Sequence, residues 1–313
     1  MTPLSRASLR ALTRLRAYQS PPTIYSSLPL TRRAAVLILL FADPNGDLRV
    51  VLTVRASTLK SFPGQAAFPG GKADSLLETP FQTARREADE EIGLPSDDGK
   101  LVPPFRVEHL CELPVHLART ELAVRPCVAY LNAGDQTGTE VADVERSLIP
   151  RLDAREVAAV FSAPFHTFLK KSDELCAGAG PSVPSDGLQW YDGSWTTWHE
   201  KRLPMHSFFV PLAGHPVATP RSAHHGPGRS AAARRLREAE EEGSMTRFRV
   251  WGMTARIMVD AARVAYDERP EFEHPLEIGD EILICRLHHE GKLPEITRPH
   301  RPVYRDASKD SKI

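Results

Sequence analysis

Within residues 68–94, FPGGKADSLLETPFQTARREADEEIGL, three acids have the spacing for chemistry: Glu87, Glu90 and Glu91. On a helix turning about 100° per residue they share one arc spanning roughly 100°. Like charges so placed repel by about 0.2–0.5 kcal/mol per pair. A hard divalent cation, which takes oxygen ligands, reverses the sign of that term. The pattern therefore points to a metal held by carboxylates. The same acids and arginines on a solvated face, laced with helix ion pairs, are the alternative that these residues alone leave open.

Helix limits are marked on both sides of the acids. Thr79 is placed to cap the N-terminus, Pro80 suits the first helical position, and Gln82 completes a Thr-x-x-Gln capping box. Gly93, followed by Leu94 and Pro95, supplies the stop. Phe81, Ala84, Ala88 and Ile92 fall on the adjoining arc, which predicts packing against a sheet. Upstream, Gly70 and Gly71 let backbone N–H groups approach an anion, and Arg55 and Lys60 can neutralise a phosphate or simply solvate a loop.

The string resembles the Nudix box, G-x5-E-x7-R-E-U-x-E-E-x-G-U with U aliphatic. It matches at Arg86, Glu87, Ala88, Glu90, Glu91, Gly93 and Leu94. Six residues rather than five separate Gly71 from Glu78, so the glycine end of the loop is longer by one and a supporting role for Glu78 is left open. The preceding segment is similar to the upstream motif of the coenzyme A pyrophosphatase branch, L-L-T-x-R-[SA]-x3-R-x3-G-x3-F-P-G-G. Leu52, Thr53, Arg55, Ala56, Gly64, Phe68, Pro69, Gly70 and Gly71 match, while Val51 replaces the first leucine. Lys60 stands for the second arginine, which keeps the charge and loses the bidentate fork. Trp251-Gly252-Met253-Thr254-Ala255-Arg256-Ile257 is similar to that branch's C-terminal segment.

The resemblance implies an α/β fold, the Nudix α/β/α sandwich, with a mixed sheet and the box as loop–helix–loop. It implies Mg2+ or Mn2+ on Glu87, Glu90 and Glu91, with Arg86 orienting the carboxylates and Glu87 a candidate base. Arg55, Lys60, Gly64, Gly70 and Gly71 would hold substrate. The implied reaction is hydrolysis of coenzyme A and its thioesters to adenosine 3′,5′-bisphosphate and a 4′-phosphopantetheine species. A Nudix hydrolase of another nucleotide, such as ADP-ribose, and a catalytically inactive binding module are the other readings.

The remaining chain bounds the setting. Forty basic and forty acidic residues balance, so no long-range field points to nucleic acid. No apolar run approaches the roughly 20 residues that span a bilayer, and the expectation is a soluble protein. The four cysteines, Cys111, Cys127, Cys176 and Cys285, are widely spaced, which fits a reducing compartment. Residues 1–31 carry no acid and read as an N-terminal helix or extension. Its helix, residues 8–18, bears arginines that leave a transit peptide, and so a mitochondrial destination, as the alternative. Residues 32–267 form the Nudix domain, with insertions at about 173–200 and 213–246. In the second insertion REAEEEG, residues 237–243, mimics the box but lacks its glycine approach and apolar arc, so it reads as a solvated helix. Residues 268–313 are a polar C-terminal extension with one expected strand at 281–287. They end in Ser311-Lys312-Ile313, close to the peroxisomal Ser-Lys-Leu address that an import receptor reads; cytoplasm is the further alternative. Oligomeric state is not legible.

Overall fold

The computed structural model describes residues 4–55, 65–101, 103, 105–132, 157–173, 189–211 and 246–296. Its central strand is the apolar run at residues 33–41, which forms β1 (Arg33–Ala42). The chain turns where Asp43 Oδ1 accepts the N–H groups of Asn45 and Asp47, and returns antiparallel as β2 (Leu48–Arg55). On its other side β1 pairs in parallel with β7 (Ala123–Asn132), and β5 (Arg106–Glu112) closes that edge antiparallel to β7. Beyond β2 come β3 (Gln65–Ala67), β11 (Arg247–Trp251), β10 (Lys201–Pro211) and β9 (Tyr191–Trp198). β4 (Gly70–Lys72) pairs with β1, β6 (His116–Leu117) with β7, and β8 (Val157–Pro164) with β2. The β1–β7 and β3–β11 contacts are parallel and the others antiparallel, so the sheet is mixed, as expected.

Strand alternation divides the core in two. Ala34, Ile38 and Leu40 of β1 join the cluster that buries α1 (Arg6–Ala17) and α3 (Gly252–Tyr266). Ala35, Leu37, Leu39 and Phe41 face the opposite way, onto Ala84, Ala88 and Ile92 of α2 (Pro80–Ile92). The two helical layers enclose the sheet, and among the described helices the acidic one packs on the face opposite α1 and α3. Helix α1 is part of this body: Ala11, Leu12 and Leu15 are fully buried, and Arg16 grips Glu108 with two bonds of 2.7 Å.

Three expectations need correction. Residues 281–287 are not a strand; they lie in α4 (Glu281–His289), whose Leu283, Ile284 and Leu287 pack on Tyr25, Leu28 and Leu117. The last part of the expected 173–200 insertion is the regular strand β9, hairpinned onto β10. The expected boundary at 267 falls inside the packed body, because buried carboxylates tie the later segment down. Asp280 accepts from Arg256 Nη2 at 2.5 Å, Lys201 Nζ at 3.1 Å and the Leu117 N–H at 3.0 Å. Asp260 of α3 lies 3.0 Å from His116 Nε2 and 2.9 Å from His274 Nε2. Burial opposes ionisation of Asp260, but the two histidines outweigh it and hold the carboxyl well below the usual range. The 213–246 insertion, its box-like REAEEEG and the C-terminal tripeptide lie outside the described residues. Among those described, Cys111, Cys127 and Cys285 are free thiols, and no helix is long and apolar enough to cross a membrane.

Candidate active site

Local sequence fixes the mount for the acids. At the start of α2, Thr79 Oγ1 accepts the Gln82 N–H at 3.2 Å, and Gln82 Oε1 accepts the Thr79 N–H at 2.9 Å. Such a cap contributes about 1 kcal/mol. The helix ends where Gly93 turns left-handed at φ 69°. Between these stops Ala84, Ala88 and Ile92 are fully buried against the sheet, so the carboxylates are carried on a rigid base.

The glycine turn meets this helix at two points, by two different means. The Gly70 N–H donates to Glu91 Oε2 at 3.1 Å. Gly70 itself pairs with Val36 of β1, and its φ of 152° with no room for a side chain makes glycine necessary: a Cβ would fall 2.4 Å from the Ala35 carbonyl oxygen. At Gly71 a Cβ would fall 2.4 Å from the Glu87 carboxyl carbon. The Glu87 carboxylate thus lies directly on the turn's backbone.

Arg86 organises the charges. Its guanidinium lies 2.8 Å from Glu78, 3.1 Å from Glu87, 3.3 Å from Glu90 and 3.4 Å from Asp74, and Nη2 also donates to the Lys72 carbonyl at 2.8 Å. Glu78, whose place the longer loop left open, is firmly engaged. Besides Arg86, its Oε2 accepts from the Thr83 hydroxyl at 2.9 Å and the Asp74 N–H at 3.0 Å. Burial works against its ionisation, yet these donors prevail and hold it below the ordinary carboxylate range. The extra residue is absorbed within the loop, which also brings in Asp74, a partner that sequence spacing did not single out.

Among the described residues one guanidinium serves four carboxylates, and Glu91 on the same helix accepts the Gly70 N–H. For Glu87 the cost is plain: burial raises its carboxyl above the ordinary value despite the charge and hydrogen bond of Arg86. An all-oxygen set of carboxylates fits a hard divalent ion. It is not a ready-made cage, since among the described residues no three His, Cys, Asp or Glu side chains converge tightly enough to hold an ion. Arg86 Nη1 bridges Glu87 and Glu90, and Glu91 is turned to Gly70. This is the arrangement expected where one or two carboxylates and the substrate's own phosphates share the ion.

Of the residues singled out in the sequence, the structure brings together Gly70, Gly71, Arg86, Glu87 and Glu91. Glu90 is attached through Arg86 with its side chain 53% exposed. The Arg55 backbone ends β2; its side chain, Lys60 and Gly64 lie outside the described residues.

Comparison with known proteins adds the following. The NUDIX domain profile matches residues 31–165. Peroxisomal coenzyme A diphosphatase 1 of Saccharomyces cerevisiae is 32% identical over 305 residues, covering 92% of this chain and 84% of that protein. The chloroplastic Nudix hydrolase 22 of Arabidopsis thaliana is 32% identical, over 77% of this chain and 58% of its own. The mouse peroxisomal coenzyme A diphosphatase NUDT7 is 34% identical, over 42% and 51% respectively.

Proposed function

Because this chain belongs to the Nudix family of pyrophosphohydrolases, we propose that it hydrolyses the diphosphate of coenzyme A and its thioesters. Water's oxygen joins one phosphorus as the bridging P–O bond breaks. The products are adenosine 3′,5′-bisphosphate and 4′-phosphopantetheine or its acyl derivative. The observation that carries the reading is the Glu87 carboxylate lying against Gly71, so that turn and acid together border the place where a diphosphate docks.

Mg2+ or Mn2+ held by Glu87, Glu90 and Glu91 would offset charge on the diphosphate and acidify the attacking water. The chain's own groups do the rest. Glu87 takes the proton of the attacking water. Arg86 keeps Glu87 and Glu90 on one side of the helix and is itself aligned by Glu78. The Gly70–Glu91 bond fixes the turn relative to the helix. Arg55 and Lys60, which precede the turn in the sequence, hold the phosphates, with Gly64 permitting their close approach.

The similarity to a peroxisomal relative favours a peroxisomal location; the cytoplasm and the mitochondrion are the alternatives. The function is tested by mass spectrometry of products formed with Mg2+ or Mn2+ from coenzyme A and, in parallel, from ADP-ribose. Adenosine 3′,5′-bisphosphate with 4′-phosphopantetheine, formed at least tenfold faster than ADP-ribose is cut, is the expected result. Equal rates on the two substrates would defeat the coenzyme A assignment, and no turnover on either would favour a binding module.

A further inference from the structure

A cavity of about 300 Å³ is bounded in part by β3, the strand that leads into the glycine turn, and contains none of the residues assigned to the active site. Its walls are Ala66 and Ala67 of β3, Trp198 of β9, Met205 of β10, and Trp251 with Met253 at the junction of β11 and α3. Building on the assigned activity, we propose that this cavity takes the pantetheine arm and acyl chain of the substrate and sets acyl-chain selectivity.

Position is the first argument. Ala67 stands three residues before Gly70, so their Cα atoms can be no more than about 11 Å apart. A ligand whose phosphates sit at the turn therefore has an arm's length to the cavity.

Chemistry is the second. The lining is largely aromatic, thioether and methyl. Arg256, which also borders the cavity, is committed to Asp280. Arg119 is exposed at the border and has no hydrogen bond or ion pair among the described residues, which suits the wet end of an amphipathic ligand rather than its buried part. The polar groups within reach are the hydroxyls of Thr196 and Thr254 and the first turn of α3. Trp251, at the N-cap, supplies no side-chain cap, so that turn keeps N–H groups to donate. A chain of methylenes interrupted by amide and thioester carbonyls matches this pattern of apolar walls with a few donors. Among the described lining residues, an anionic group finds no uncommitted cation in the interior. Two half-buried methionines let the walls adjust to chains of different length. Each methylene buried there is worth up to about fourfold in affinity.

The experiment uses the full chain with Mg2+. It compares kcat/KM for coenzyme A and octanoyl-coenzyme A, and product inhibition by 4′-phosphopantetheine and by adenosine 3′,5′-bisphosphate, in the wild type, Met253→Trp and Met205→Glu. The wild type should prefer octanoyl-coenzyme A by about tenfold or more. Either variant should abolish that preference and weaken inhibition by 4′-phosphopantetheine about tenfold. Inhibition by adenosine 3′,5′-bisphosphate should stay within about twofold, which also certifies that the variants are folded. Weakened inhibition by the adenosine product instead would make the cavity a base site and overturn the proposal. So would variants with unchanged selectivity, while coenzyme A hydrolysis stands. A wild type that leaves coenzyme A uncut removes the functional reading and this inference together.

Discussion

Glu87→Gln should lower kcat for coenzyme A by about 10²- to 10⁴-fold, the usual contribution of a positioned general base, with the melting temperature nearly unchanged. The substitution keeps shape and one acceptor oxygen but removes the charge and the basicity. Stability should survive for a structural reason. Arg86 retains Glu78, Glu90 and Asp74, and the buried face of α2 is untouched. Glu87 is in addition a half-buried carboxylate whose ionisation burial disfavours, so its neutral replacement relieves strain on the fold while it disables the site. Steady-state kinetics with a parallel thermal melt check both halves; a variant retaining more than a tenth of wild-type kcat would remove Glu87 from the role of base.

The second large effect separates two adjacent glycines. Gly70→Ala should destabilise the protein by roughly 2–6 kcal/mol, combining backbone strain with overpacking. The added methyl meets the Ala35 carbonyl and Val36 of the central strand, neither of which can move alone. That is a large part of the roughly 5–15 kcal/mol that holds a domain together. Gly71→Ala has its nearest clash with the end of the flexible Glu87 side chain, so it should cost little stability. It should cost activity instead, because the displaced group is the carboxylate assigned to the chemistry, and misplacement by an ångström can lose about 10²-fold. Urea unfolding and kcat measured on both variants give the contrast; similar stabilities for the two would show that the turn does not lie as described.

The acidic helix was legible in full because its determinants are local. The Thr79–Gln82 box, Pro80, the Ala84–Ala88–Ile92 arc and Gly93 each act within a turn or two, and all are realised. The misread elements fail for identifiable reasons. The EILICRL run of α4 is rich in β-branched and apolar residues, and only the packing on Tyr25 and Leu28 decides that Leu283, Ile284 and Leu287 act at helical spacing. Strand β9 is largely exposed, with Asp, Gly, Ser and Thr in place of an apolar rhythm. Its turn into β10 puts His199 and Glu200 at positive φ, so the Asn-Gly signal of a tight hairpin is missing. Asp74 and Glu78 on Arg86 could be read only in part, since a loop one residue longer hides which acids its closure brings together.

The central claim is that the acids of α2 gather, with a bound diphosphate, around a divalent ion. It is tested most directly by crystals of the full chain grown with Mn2+ and a non-hydrolysable diphosphate analogue of coenzyme A, measured for anomalous scattering from manganese. The account predicts a peak bounded by Glu87, Glu90 and Glu91 and by phosphate oxygens beside Gly71. Phosphates bound at the turn with no manganese there, or manganese bound away from these three carboxylates, would contradict it.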